Sequence, residues 1–376
     1  MIQRYLKRRL PRDGYAFSLF REGKNSLDQV ASAMADIAPG TLRARPQRLF
    51  VSLTADCSLH CGAYHYGRDF MPGHSLPWSL GGPMLEDAAA LGITNVRLYG
   101  GEPLLHRDIE KFVARTVDLG MSPWLTTNGL LLDKKIDRLV AAGLRRVSIG
   151  MYGVGAQYDR YVGRNGAFAA VEAGLARARA RHGPETLDLK LDWLLMRGTC
   201  APEVVEATLA FAARFGMRIH VNLIHYSLPY FTKPEEDGGH HFRMEDRPLL
   251  EGAVARLIEA RMATPDLIRN RIRGLRSIPD WLMRGPAMRV PCNERDLIWV
   301  GPDGSVQMCY VTFRLGNLYD ARLRDLVLTE VHHRAARAAH ALDCPNCHCS
   351  YDRRINGNGG AKLGHGSGGI TLLRAA

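Results

Sequence analysis

Eight cysteines give this chain its most obvious chemistry, because a thiolate is at once a nucleophile, a redox couple and a metal ligand. Cys57 and Cys61 lie four apart in LTADCSLHCGAYHYG, directly after a strand-like run. Two thiolates on a loop that leaves the end of a barrel strand sit where such folds build catalysis; two ordinary buried thiols are the alternative. A second group comprises Cys292, Cys309 and the run CPNCHC, which holds Cys344, Cys347 and Cys349. A lone Cys, a Cys on a hairpin and a C-x2-C pair can close around one metal centre. The set expected is Cys292, Cys309, Cys344 and Cys347, with Cys349 a spare or exchangeable ligand; a structural Zn²⁺ ribbon has the same spacing. Cys200, alone before a helix, reads as a buried thiol.

Polar turns accompany the first cysteine pair. LYGGEPLLH places Gly100, Gly101 and Glu102 after a second strand-like run. The glycines allow close backbone approach, and the carboxylate offers itself to an ammonium group. LTTNG puts Thr126, Thr127 and Asn128 after a third run, and Ser148 falls near the end of a fourth. NLIHYSLPYF supplies Asn222, His225, Tyr226 and Tyr230 as candidate substrate contacts, with plain aromatic packing as the alternative.

The elements that must position these residues follow from periodicity. β-rich runs are read at 49–54, 95–99, 123–127, 146–149, 187–195 and 218–224. Helical patterns fall between them at 84–91, 107–119, 134–142, 167–181 and 202–215, several closed by glycine. Repeated βαβ units predict a parallel sheet, and six are too few for a complete eight-stranded barrel. The fold class expected is therefore α/β, a partial (β/α)6 TIM-like barrel with a small C-terminal Cys-rich domain. Helices are expected at 249–262 and 265–284, and a hairpin at 297–300 and 306–310 around GPDG. The division expected is a lead-in over 1–47, the barrel over 48–235, a helical connector over 236–290, the Cys-rich auxiliary domain over 291–350 and a tail over 351–376. Its 356–369 segment carries seven glycines.

Cys-x3-Cys, GGEP and TTNG, each after its own strand, together resemble the radical S-adenosylmethionine (SAM) superfamily. The resemblance implies a [4Fe–4S] cluster on a C-x3-C-x2-C loop, with SAM chelating the iron that the three thiolates leave open. Gly100, Gly101 and Glu102 would then hold the SAM amino group, with Asn128 and Ser148 near its ribose and carboxylate. The region 145–175 resembles the superfamily's auxiliary-cluster subgroup, and the C-terminal cysteines resemble its Twitch domain, a relative of SPASM, which implies a second [4Fe–4S] cluster. The implied activity is generation of a 5′-deoxyadenosyl radical that abstracts hydrogen from a small-molecule or peptide substrate, fed by a reducing electron donor. Three positions depart from the pattern. Tyr64 stands where the third loop cysteine belongs, Ala63 where an aromatic is usual, and Gly150 where Asp is frequent. His60 and His65 are nearby and read as ordinary loop residues or as substitute ligands. A chain that keeps the fold and auxiliary cluster but lacks a competent SAM cluster is the alternative function.

Composition bounds the rest. A chain of 376 residues with 46% hydrophobic and 23% charged content has ample core. No run of eighteen apolar residues exists, so no transmembrane helix is expected. MIQRYLKRRLPRDG lacks an apolar stretch behind its charges, so a cytoplasmic protein without signal peptide is expected. The net charge is +12, carried by fifty basic residues, eight of them Lys. Arg suits anion recognition, and an anionic or polyhydroxylated substrate fits that bias; no basic stripe interleaved with aromatics points to nucleic acid.

Overall fold

The computed structural model describes residues 37–233, 238–310 and 312–358, with positions 30, 33–35 and 236. Most of the lead-in, part of the 234–241 loop and the glycine-rich stretch from 359 lie outside the described residues. Six strands alternate with helices: β1 Arg48–Thr54, β2 Asn95–Gly100, β3 Ser122–Thr127, β4 Arg146–Met151, β5 Asp188–Leu195 and β6 Arg218–Leu223. All pair in parallel, in the order β6-β5-β4-β3-β2-β1. The expected partial barrel is the fold observed. The connecting helices are α1 Trp78–Ala90, α2 Ile109–Asp118, α3 Leu132–Ala141, α4 Ala156–Val162, α5 Ala167–Arg181 and α6 Pro202–Arg214.

The strands alternate between two surroundings, as a pleat dictates. Leu49, Val51 and Leu53 of β1, Val96 and Leu98 of β2, and Leu189, Leu191 and Trp193 of β5 are buried in one core with the helices. The intervening residues turn to the barrel lumen: Phe50 and Ser52, Arg97 and Tyr99, Trp124 and Thr126, Lys190 and Asp192, His220 and Asn222. The outer face supplies the hydrophobic driving force, which leaves the inner face free for polar chemistry.

Several expectations need correction. α1 begins at Trp78, six residues earlier than its periodicity suggested, with Pro83 inside it. A Cβ on Gly81 would lie 2.2 Å from the Phe112 ring; the small residue that reads as a helix breaker is there for close packing on α2. α7 Arg247–Ala263 is as expected, but 265–284 is not one helix. It holds α8 Ile272–Arg276 and α9 Ile278–Arg284, preceded by an extended stretch in which Ile268 bridges Ile219 of β6. The free edge of the sheet takes that segment as partial cover.

β7 Leu297–Val300 and β8 Ser305–Met308 form the hairpin, and β9 Phe313–Asn317, which sequence reading missed, adds a third strand. β7 pairs in parallel with β1, so among the described residues one sheet runs through nine strands. Cys309 lies just past β8 rather than on it. The connection is then α10 Leu323–Leu326 and α11 Glu330–Ala341. Residues read as the start of the tail form α12 Tyr351–Gly357, whose Tyr351 and Ile355 are buried. Among the described residues no helix is long and apolar enough to cross a membrane.

Candidate cofactor and ligand sites

The loop after β1 and the turn after β2 are packed onto each other at the barrel rim. Gly101 N donates to Thr54 O at 2.8 Å and Glu102 N to Asp56 O at 2.7 Å. A Cβ on Gly100, at φ 144°, would lie 2.3 Å from Thr54 O, and one on Gly101 would lie 2.3 Å from Ala55 O. Both glycines are therefore demanded by this backbone approach. Glu102 is fully buried. Its Oε1 accepts from Leu104 N at 2.9 Å and Thr127 Oγ1 at 2.7 Å, and its Oε2 from Asn128 N at 2.8 Å. A carboxylate has about four lone-pair positions, so one remains for a further donor. Asn128 directs Nδ2 to Cys57 Sγ at 3.8 Å, and Ser148 Oγ accepts from Trp124 Nε1 at 2.6 Å. The structure thus brings Cys57, Cys61, Gly100, Gly101, Glu102 and Asn128 to one rim, with Ser148 on the adjoining inner wall.

Tyr64 stands at the same rim. Its hydroxyl donates to Gly100 O at 3.4 Å, while its ring stacks on Tyr66 and meets Tyr230 and Phe231 edge-on. Burial, then the neighbouring Tyr66, Tyr99, Cys57 and Cys61, push its phenol well above the ordinary value. Neither loop histidine takes a ligand's place. His60 is exposed, and His65 turns its ring to Thr232 Oγ1 at 2.5 Å and Asp69 at 3.2 Å.

At the other site, Cys292, Cys309, Cys344 and Cys347 line one cavity of about 260 Å³ together with Arg354 and Asn346. Cys349 does not; it lies 3.8 Å from the His225 ring, against Tyr99, Tyr230 and Trp299. The loop between Cys344 and Cys347 is pinned from three sides. Tyr226 Oη donates to Asn346 O at 2.8 Å, Arg354 Nη2 donates to Asn346 Oδ1 at 2.9 Å and its Nη1 to Cys347 O, and the Asn346 amide reaches Met288 O at 3.1 Å. Cys309, Asn346 and Ser350 adopt φ of 69°, 49° and 55°, a conformation costly for side chains other than glycine and kept where the surroundings enforce it. Burial pushes the Cys292 thiol up to about 12. Cys347 goes the other way, lowered by its hydrogen bond with Cys349 and by the Arg354 charge.

The proposed substrate contacts divide. Asn222 faces the lumen. His225 stacks on His348 and meets Phe231 at a tilt of 55°, and burial takes its imidazole down to about 3. Tyr226 anchors the cysteine loop, and Tyr230 is buried in the aromatic cluster around Tyr66 and Phe70. For these two tyrosines the packing alternative describes what the side chains touch. Cys200 is buried, its thiol pushed up to about 12 by burial.

The radical SAM superfamily profile matches residues 54–198, the stretch from the end of β1 to just past β5. The chain carries a radical SAM domain. The chain is 35% identical over 230 residues to the GTP 3′,8-cyclase of Mycobacterium ulcerans, covering 56% of this chain and 59% of that protein. To the GTP 3′,8-cyclase of Mycolicibacterium smegmatis it is 40% identical over 139 residues, covering 35% of this chain and 38% of that one. The chain thus spans well under two thirds of the relatives' own length. In fold it is similar to anSMEcpe with bound AdoMet and Cp18Cys peptide, with a TM-score of 0.60, 16% identity and coverage of 83% and 88%. SuiB of Streptococcus suis bound to S-adenosylmethionine aligns with a TM-score of 0.58, 13% identity and coverage of 93% and 80%.

The two cysteine groups of this chain fit an iron–sulfur cluster unequally. A rim cluster open to SAM needs three protein thiolates, and the rim offers Cys57, Cys61 and a half-buried phenol whose pKa is raised; these residues do not fit it. The C-terminal thiols do fit a group larger than an ion. They surround a cavity, while among the described residues no three His, Cys, Asp or Glu side chains converge on a single-ion site, as four-coordinate zinc with Zn–S near 2.3 Å requires.

Sequence reading missed the lumen residues Arg97, Trp124, Lys190 and Asp192. Their signal was present as polar or aromatic residues alternating with apolar ones along predicted parallel strands, where both faces are usually apolar.

Proposed function

We propose that this chain seats SAM at its barrel rim and a small-molecule or peptide substrate in its lumen, and holds one auxiliary [4Fe–4S] cluster on Cys292, Cys309, Cys344 and Cys347. In this reading its rim loop binds no complete cluster, so the chain does not cleave SAM by itself. The observation that carries the reading is Tyr64, half-buried, hydrogen-bonded to Gly100 O and standing where a third thiolate belongs. Ionising a phenol of pKa ~10 at neutral pH costs about 4 kcal/mol before any metal bond offsets it, and burial adds to that cost. Glu102 would take the SAM ammonium on its remaining lone pair, with Asn128 and Ser148 alongside. The auxiliary cluster, when bound, would supply a one-electron acceptor or donor beside the lumen. Arg354, Tyr226 and Asn346 would keep its loop in register, and a reducing donor protein would serve it. The names of the relatives point to a nucleotide and those of the structural neighbours to a peptide.

A second reading is a competent radical SAM enzyme. It is favoured by one observation, that the Tyr64 phenol lies within the field of both rim thiols, where its phenolate would complete the ligand set. Anaerobic reconstitution separates the two. The first reading expects about four irons and four sulfides per chain, their loss in Cys309→Ala, and no 5′-deoxyadenosine. Twice that iron with 5′-deoxyadenosine formed overturns it in favour of the second, and zinc in place of iron removes the auxiliary cluster from both.

A further inference from the structure

The lumen contains charges that neither cysteine site uses. Arg97, on β2, points inward among three aromatic rings; its Cζ lies 5.2 Å from the centroid of Phe50, 4.9 Å from Tyr99 and 4.8 Å from Trp124. Its hydrogen-bond partners are hydroxyls. Nε donates to Thr126 Oγ1 at 2.9 Å and Nη1 to Tyr310 Oη at 3.5 Å, which leaves Nη2 without a protein acceptor among the described residues. Lys190, on β5, sets its Nζ 4.3 Å from the centroid of the same Trp124 ring and 2.8 Å from Asp192 Oδ1.

Two cations therefore share one indole, and one carboxylate faces them. Asp192 pairs with Lys190 at 2.8 Å and reaches Arg97 only through its field, so among the described residues no carboxylate lies at ion-pair distance from the Arg97 guanidinium. The other groups facing it do not supply one. Tyr64, Tyr99 and Tyr310 are phenols raised above their ordinary range by burial, and His220 is taken down to about 3 by burial and Lys190. Arg269 adds positive field at Lys190 and His220. Stacking on rings stabilises a guanidinium, yet it does not neutralise one that is half-buried, and two partly desolvated cations facing one carboxylate leave a positive charge uncompensated. The planar fork of Arg, with one edge held by Thr126 and another left open, is the group that binds carboxylate or phosphate best.

We propose that the barrel lumen is a seat for an oxyanion of the substrate, a carboxylate or a phosphate, held between the open edge of Arg97 and Lys190 over the face of Trp124. The proposal rests on the reading above that the lumen receives the substrate, and it narrows that substrate to an anionic one. Ser148, which accepts from the Trp124 indole, ties this floor to the rim where SAM is proposed to sit, so the anion fixes which end of the substrate faces up.

Calorimetric titration of the reconstituted full chain with inorganic pyrophosphate and with succinate, at fixed ionic strength, tests this. At least one of the two is expected to bind at one per chain, pyrophosphate identifying a phosphate seat and succinate a carboxylate seat. Arg97→Gln and Lys190→Gln should each weaken it about tenfold or more, the loss of one charge-assisted hydrogen bond. Arg97→Lys should recover part of the affinity, since it keeps the charge and loses the fork. Thr126→Val removes only the hydroxyl that aims the guanidinium, and should weaken binding several-fold with unfolding temperature unchanged. No saturable binding of either anion, or binding unaltered in both Gln variants, overturns the proposal. SAM titrated into the same preparations separates the two readings: SAM bound without either anion removes this inference alone, and anion bound without SAM removes the rim reading alone.

Discussion

Glu102 accepts three hydrogen bonds that favour its ionised form, and burial, which favours the neutral form, outweighs them and pushes its carboxyl up to about 7. The folded chain therefore holds this proton more tightly than the unfolded chain between the ordinary 4.5 and about 7. The contribution to stability is full below the lower value, falls as pH rises through the interval and is flat above it. An interval of that width corresponds to about 3 kcal/mol. Urea denaturation of wild type and Glu102→Gln at pH 5 and pH 8 should show wild type losing about 3 kcal/mol more than the variant across that range; parallel losses would mean that Glu102 keeps one protonation state throughout. Tyr64 yields the second prediction at this scale. Tyr64→Cys supplies the third rim thiolate, so iron should rise by about four atoms per chain and SAM cleavage to 5′-deoxyadenosine should appear. The same iron content in variant and wild type would show that something beyond the missing thiol closes the rim to a cluster.

Beyond the bridge at Ile219, the free edge of β6 is finished by a side chain rather than by more strand. Asn270 Oδ1 accepts from Val221 N at 2.8 Å and its Nδ2 donates to Val221 O at 3.1 Å, as a neighbouring strand would, and Nδ2 also reaches Tyr351 Oη of α12 at 2.8 Å. Asn270→Ala leaves the buried Val221 N unpaired, while Val221 O keeps its bond from Tyr351 Oη at 3.1 Å, so it should cost about 1–3 kcal/mol in chemical denaturation; a cost below about 0.5 kcal/mol would mean that water replaces the amide. No periodicity announces such an element, which is why 265–284 reads as one helix. The six barrel strands were legible because their outer faces alternate apolar residues on a two-residue period, and α5 was legible to the residue. Trp78–Pro83 was not, since Gly81, Gly82 and Pro83 look like breakers until the packing of Gly81 against Phe112 is seen. β9, with the sequence FRLGN, is too short and polar to register. At the candidate sites the cysteines were visible from spacing. That Cys349 stands beside the His225 ring and hydrogen-bonds Cys347 rather than lining the cavity was not visible from spacing. Arg97 and Lys190 escaped for a related reason, as polar residues inside a barrel and polar residues on a solvent face have one pattern.

The whole molecule is held as one sheet because β7 lies parallel to β1, and a buried set of charges fastens that seam. Arg48 opens β1 and meets Glu294 and Asp296 at 2.6 Å each, and Arg353 of α12 meets the same two carboxylates at 3.1 Å. Gln47 N and Arg48 N also donate to Asp296 O at 2.8 and 3.0 Å. Two cations and two anions balance, which is what makes their burial tolerable. Burial alone would raise both carboxyls, and Arg353 and Arg48 overcome it, holding them below the ordinary range. Carboxylates depressed on folding contribute stability that is complete above their unfolded values near ~4 and is lost as pH falls below them. Asp296→Asn leaves two guanidiniums facing one carboxylate and should cost about 3–5 kcal/mol at pH 7. It should also flatten the acid limb, so the deficit against wild type shrinks as the pH falls from 5 to 3. Because Arg354, next to Arg353, holds the loop of Cys344 and Cys347 through Asn346 and Cys347 O, the variant should lose auxiliary iron at lower urea than wild type does. Denaturation followed at pH 3, 5 and 7, with iron release recorded alongside, measures all three. A variant as stable as wild type at pH 7 would show that the seam is carried by the β1–β7 pairing alone.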